Sequence, residues 1–66
     1  MTVRSDLLKA VASAEAAKGT YLMAAQSTED SSAQSEYEQM ASDIDMHIEY
    51  LNSRIEYLAS STGYKG

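Results

Sequence analysis

Apolar residues recur at steps of three and four through the second half of the chain. This spacing keeps their side chains on one face of an α-helix. The series therefore predicts a helix over about residues 31–60, and its polar residues would face away from the apolar side. The apolar face consists of Ala33, Tyr37, Met40, Ile44, Ile48, Leu51, Ile55 and Leu58.

A weaker pattern of the same kind predicts a first helix over about residues 3–26. Thr2 is a candidate N-cap, and Asp6 lies near the positive end of the helix dipole. Gly19 weakens the segment by about 1 kcal/mol relative to alanine, yet the periodicity continues beyond it. The apolar face consists of Val3, Leu7, Val11, Ala14, Tyr21, Leu22 and Ala25.

The polar stretch 27–32 separates the two helices. Either Asp30 or Ser31 can cap the second helix, and residues 31–34 fit a capping box in which Gln34 reaches back to the cap. Gly63 suits a helix stop, so residues 61–66 are expected to form a flexible tail.

A short connection between two long helices makes them antiparallel. The expected register places Leu7 near Leu51, Val3 near Ile55 and Ala14 near Ile44. The sequence therefore predicts an all-α fold, an antiparallel two-helix hairpin in one domain spanning residues 1–66.

A hairpin of this size leaves part of each core side chain exposed, because small domains bury a low fraction of their surface. Pairing two hairpins into a homodimeric four-helix bundle would cover the remaining apolar surface. We therefore expect a homodimer, with either orientation of the two hairpins open. The predicted dimer core consists of Leu7, Val11, Tyr37, Met40, Ile44, Ile48, Leu51, Ile55 and Leu58.

The charge balance argues against several partners. The net charge is −5, and eight of the ten acidic residues fall in 29–58, where Arg54 is the single basic residue. Such a surface repels nucleic acid and anionic lipid. The longest apolar run, residues 21–25, is too short to span a bilayer, so we expect no membrane insertion and a cytoplasmic location.

Three exposed-face residues suggest a surface for a protein partner. Met46, Tyr50 and Tyr57 align on the side of the second helix away from the main apolar face. Methionine and tyrosine are favoured at interfaces, although single exposed apolar residues are also common on protein surfaces.

Two ionisable residues define the alternative, a helical bundle that binds a small ligand or a metal. Lys18 lies on the apolar side of the first helix, where its stem can cover the core while its amine pairs with Glu36, Glu38 or Asp43. His47 is one turn from Asp43, so a carboxylate–imidazole pair is geometrically allowed. A metal site needs more ligands than this, and we expect no bound metal or cofactor.

No combination of residues predicts catalysis. The serines fall mainly in loops and helix ends, where capping explains them, and no glycine-rich phosphate loop is present. We therefore expect a non-enzymatic structural or interaction protein.

Short motifs along the whole chain resemble those of the domain of unknown function family 1657. They are the opening Met1-Thr2-Val3, the segments 36–39 and 51–58, and the closing Tyr64-Lys65-Gly66. The tail departs from the family pattern, because residues 60–63 replace an acidic, proline-containing stretch.

This resemblance implies an origin in endospore-forming bacteria and a link to sporulation, with genes placed beside those of spore membrane channels. It therefore implies a location in the forespore or spore as an alternative to the cytoplasm. It supplies no catalytic residues to assign.

Overall fold

Two long helices make up nearly all of the described chain. The computed structural model describes residues 2–60, in which α1 spans Val3–Ser27 and α2 spans Ser31–Ser60. The predicted helices are present, and α1 ends one residue beyond the expected position. The expected tail at 61–66, with its stop at Gly63, lies outside the described residues.

The N-terminus of α1 is capped as the sequence predicts. The Oγ1 atom of Thr2 accepts a hydrogen bond from the backbone N–H of Ser5 at 3.0 Å. This bond satisfies one of the backbone donors that the first turn leaves without a helical partner. Asp6 lies in the same turn, where a carboxylate is favoured by the helix dipole.

The connection between the helices is held by two successive side-chain hydrogen bonds. The Oγ1 atom of Thr28 accepts from the backbone N–H of Asp30 at 3.2 Å, and Oδ1 of Asp30 accepts from the N–H of Ser32 at 3.0 Å. Asp30 is therefore the N-cap of α2. The predicted capping box is wrong, because capping at Asp30 places Ala33, not Gln34, at the third helical position.

Contacts between the helices show that they run antiparallel. Tyr21 stacks on Tyr37 near the connection, and Lys18 pairs with Asp45 farther from it on both helices. The resulting hairpin is elongated, with Cα extents of 52 × 18 × 10 Å.

The core of the hairpin is thin. Only Ala25, Ala41 and Ile48 are buried among residues 2–60, with exposures of 3%, 3% and 8%. The other inward-facing residues of α2 are half-buried and continue the steps of three and four. They are Tyr37, Ile44, Leu51, Ile55 and Leu58.

Met40 and Ala41 differ from the expected pattern. Met40 is 39% exposed, whereas its neighbour Ala41 is buried. Ala41, Ile48 and Ile55 are seven residues apart, so they form one row along the line of contact between α1 and α2, which we call the seam. Met40 therefore lies beside the seam.

Alanine forms much of the contacting face of α1. Ala10, Ala17 and Ala24, spaced seven residues apart, are half-buried. Val3 and Leu22, which the spacing placed on the apolar face, are 59% and 41% exposed instead. Small side chains allow the axes of two helices to approach closely, and this explains how a contact face poor in bulky residues can still pack.

Candidate interaction surface

Large apolar side chains remain exposed on both helices. A contiguous group of such side chains marks an interaction surface more often than scattered ones do. The exposed set among the described residues consists of Val3, Leu8, Leu22, Met23, Met40, Met46, Tyr50 and Tyr57.

The three residues predicted to meet a partner are all exposed. Met46, Tyr50 and Tyr57 have exposures of 60%, 63% and 59%. The guanidinium carbon of Arg54 lies 5.0 Å from the centre of the Tyr57 ring, within the range of a cation–π contact. Tyr57 and Arg54 therefore form one composite patch that is both aromatic and basic.

Lys18 pairs with a different acid from those predicted. Its Nζ atom lies 2.7 Å from Oδ1 of Asp45, and the two side chains are 31% and 50% exposed. The expected pairing with Glu36, Glu38 or Asp43 is therefore wrong. The hydrogen bond to Asp45, together with the charge of that carboxylate, raises the pKa of Lys18 above its ordinary value.

Helix geometry explains this choice of partner. Glu38 and Asp45 are seven residues apart and share one side of α2, whereas Glu36 and Asp43 share the other. Side chains lean toward the N-terminus of their own helix. In an antiparallel pair, this lean directs Lys18 toward the C-terminal part of α2 and hence toward Asp45.

His47 and Asp43 do not form the pair that their spacing allows. Oδ1 of Asp43 accepts a hydrogen bond from Nε2 of Gln39 at 3.0 Å, and His47 is exposed. Asp43 is therefore oriented along the helix surface by Gln39.

The described chain offers few features of a ligand site. Residues 2–60 contain no group of three or more His, Cys, Asp or Glu side chains placed to hold a metal ion. No pocket is found in this part of the structure. Neither described helix combines the length and apolar character needed to cross a membrane.

These features define a small all-α hairpin whose distinctive surface is an exposed side of α2. The sequence matches the family described as protein of unknown function (DUF1657) over residues 7–55, and the chain belongs to that family. The match includes most of both helices and the connection between them. No curated protein and no solved structure matches the chain.

Sequence reasoning missed two residues that join α2 to α1. Ala41 is buried in the seam, and Asp45 holds Lys18. The seven-residue period was the available signal for Ala41, which lies one period before Ile48. For Asp45 the period shows only that its side chain shares one side of α2 with Glu38.

Proposed function

We propose that the chain is a non-enzymatic interaction protein that acts as a homodimer of helical hairpins. The observation that carries this proposal is the shallow core, in which three residues of the described chain are buried. Two of these three are alanines, which contribute little apolar area. Chains of this length commonly gain the missing burial through association.

The half-buried seam residues support a four-helix arrangement. Ile44, Leu51 and Leu58 each retain exposed surface in the single hairpin. In a four-helix bundle, a second hairpin covers the side of each seam that the first leaves open. Met40, which lies exposed beside the seam, would be covered by the same contact.

The family resemblance extends the proposal to a biological setting. We place the dimer in sporulating cells, in the cytoplasm or the forespore, where it would bind a further protein component. Met46, exposed beside the aromatic residues of α2, is a candidate for that contact.

The oligomeric state of the full chain tests the proposal. Sedimentation equilibrium should give a mass of twice the 7.2 kDa of the chain, with dissociation on dilution. The melting temperature should rise with protein concentration, because association stabilises only the folded state. A folded monomer with a concentration-independent melting temperature would contradict the proposal.

Metal analysis of the same sample tests the alternative of a metal-binding bundle. We expect less than one equivalent of any transition metal per dimer. One or more equivalents, retained after dialysis, would favour a metal-binding function built on His47 and nearby acids.

A further inference from the structure

A second row of residues follows α2 beside the seam. Its members recur at alternating steps of four and three, so they share one side of the helix. Every member is exposed or half-buried in the hairpin. The row consists of Glu36, Met40, Asp43, His47, Tyr50, Arg54 and Tyr57.

Residues of this row that lie at equal distances before and after position 45 are chemically complementary. Glu36 and Arg54 lie nine residues on either side of position 45, Met40 and Tyr50 lie five residues on either side, and Asp43 and His47 lie two. Two copies of the row placed antiparallel would therefore set Glu36 against Arg54 twice, with Tyr57 lying beyond these pairs. They would also set methionine against tyrosine and carboxylate against imidazole.

We infer that this row is the surface on which a second copy of the chain docks, with its α2 antiparallel and a two-fold axis near position 45. The inference rests on the proposed homodimer and specifies its interface. In a two-fold interface, a contact between one residue of the first copy and a second residue of the other copy occurs again with the two copies exchanged. The Glu36–Arg54 pair meets this requirement, because each dimer would contain it twice.

Contacts within the hairpin hold two of the charged groups along this row. Gln39 donates to Oδ1 of Asp43 at 3.0 Å, and Arg54 lies over the ring of Tyr57 at 5.0 Å. Side chains already held in place lose less conformational freedom when a partner binds. Both arrangements therefore favour association through this row.

The opposite side of α2 is unsuited to a two-fold contact. Its row contains acids and polar residues and no base from α2, and Lys18 of α1 already pairs there with Asp45. Two copies meeting on that side would place carboxylates against carboxylates, which opposes association. That row consists of Glu38, Ser42, Asp45, Glu49, Asn52 and Glu56.

The neighbouring surface of α1 gives the second copy room to approach. Ala17 precedes Lys18 by one residue, so it lies on the other side of the α1 contact face, together with Ala10 and Ala24. All three are half-buried. The row of α2 is therefore flanked by small side chains on the side away from the Lys18–Asp45 pair.

Charge reversal tests the inference. In Glu36→Arg, the new arginine would face Arg54 of the second copy, and in Arg54→Glu the new glutamate would face Glu36. Each single variant should self-associate at least tenfold more weakly than the parent chain in sedimentation equilibrium. An equimolar mixture of the two variants should regain the association, because opposite charges then meet at positions 36 and 54 in both pairs.

Glu38→Arg is the matched control, because it reverses a charge two residues away on the opposite side of α2. It should leave the dissociation constant within about twofold of the parent value. Circular dichroism of each variant would verify that the helices are retained. A loss of association in Glu38→Arg equal to that in Glu36→Arg would overturn the assignment.

The remaining outcomes separate the two proposals. A parent chain that stays monomeric would remove both the homodimer and its interface. A dimer that tolerates both single reversals would keep the homodimer, overturn this interface and leave the row free for a different protein. If each single variant associates weakly and their equimolar mixture also fails to associate, the Glu36–Arg54 pairing is overturned.

Discussion

Tyr21 and Tyr37 stack across the two helices, with ring centroids 6.4 Å apart and ring planes at 26°. Tyr21 lies six residues before the end of α1, and Tyr37 lies six residues after the start of α2. The pair therefore sets the register of the hairpin close to its connection. The pairing of Ala14 with Ile44 stays a prediction; these residues lie one seven-residue step from the stacked tyrosines on each helix.

Tyr37→Ala should destabilise the hairpin by about 1–3 kcal/mol, because it removes both apolar burial and the stacked ring. Urea unfolding followed by circular dichroism measures the change. Combined with Tyr21→Ala, a double-mutant cycle should give a coupling of about 0.5–1.5 kcal/mol. Met23→Ala, at a side chain that is 70% exposed, should stay within about 0.5 kcal/mol of the parent. Additive single effects would show that the rings do not interact.

The helices and their antiparallel arrangement follow from spacing and capping signals, whereas the choice between Met40 and Ala41 does not. Both positions are one turn from Tyr37, and hydrophobicity alone favours methionine. Packing favours alanine, because a small side chain suits the point where two helices approach closely. The seven-residue period of the whole seam identifies the buried position, whereas the spacing from Tyr37 alone does not.

For the candidate surface too, the sequence predicts some features and not others. The sequence places Tyr50 and Tyr57 on the outer side of α2, and both are exposed. It also predicts that Lys18 pairs with an acid of α2, but the identity of that acid depends on side-chain lean and helix register together. The spacing of charges along α2 alone gives neither the lean of the side chains nor the register of the two helices.

Ile48→Ala should destabilise the chain by about 2–4 kcal/mol, because Ile48 is the largest of the buried side chains in the described core. Ile48→Asp should leave an unfolded or molten chain, since a carboxylate at this position would lose its hydration. Thermal unfolding measures both effects. Met46→Ala, two residues earlier and 60% exposed, is the matched control and should change stability little. Equal effects at positions 46 and 48 would contradict the placement of the core.

The Lys18–Asp45 pair should make stability depend on alkaline pH. Because the pKa of Lys18 is raised in the folded chain, its contribution is fully present below the ordinary value of 10.5 and is lost as pH rises through the higher folded-state value. The difference in stability between the parent and Asp45→Asn should therefore shrink above pH 10.5. The difference should also shrink in high salt, since both side chains are partly exposed. A difference that stays constant across pH and salt would exclude the ion pair as its source.

Asp30→Ala should destabilise the chain by about 1 kcal/mol, because it removes the acceptor for the N–H of Ser32 at the start of α2. Asp30→Ser should retain most of the stability, since serine is also a good N-cap. Urea midpoints of the three chains give the comparison. Glu29→Ala is the control, one residue earlier and outside the cap. A loss in Glu29→Ala as large as that in Asp30→Ala would contradict the capping role.

Gly19→Ala should stabilise the chain by about 0.5–1 kcal/mol. Gly19 lies inside α1, where glycine costs conformational entropy that alanine does not. A Cβ atom added at this position would meet nothing within 4 Å, so the gain is not offset by a clash in the hairpin. Ala16→Gly, one turn earlier at an exposed position of the same helix, should destabilise by a similar amount. Opposite shifts of the two melting temperatures would support this account, whereas destabilisation by Gly19→Ala would contradict it.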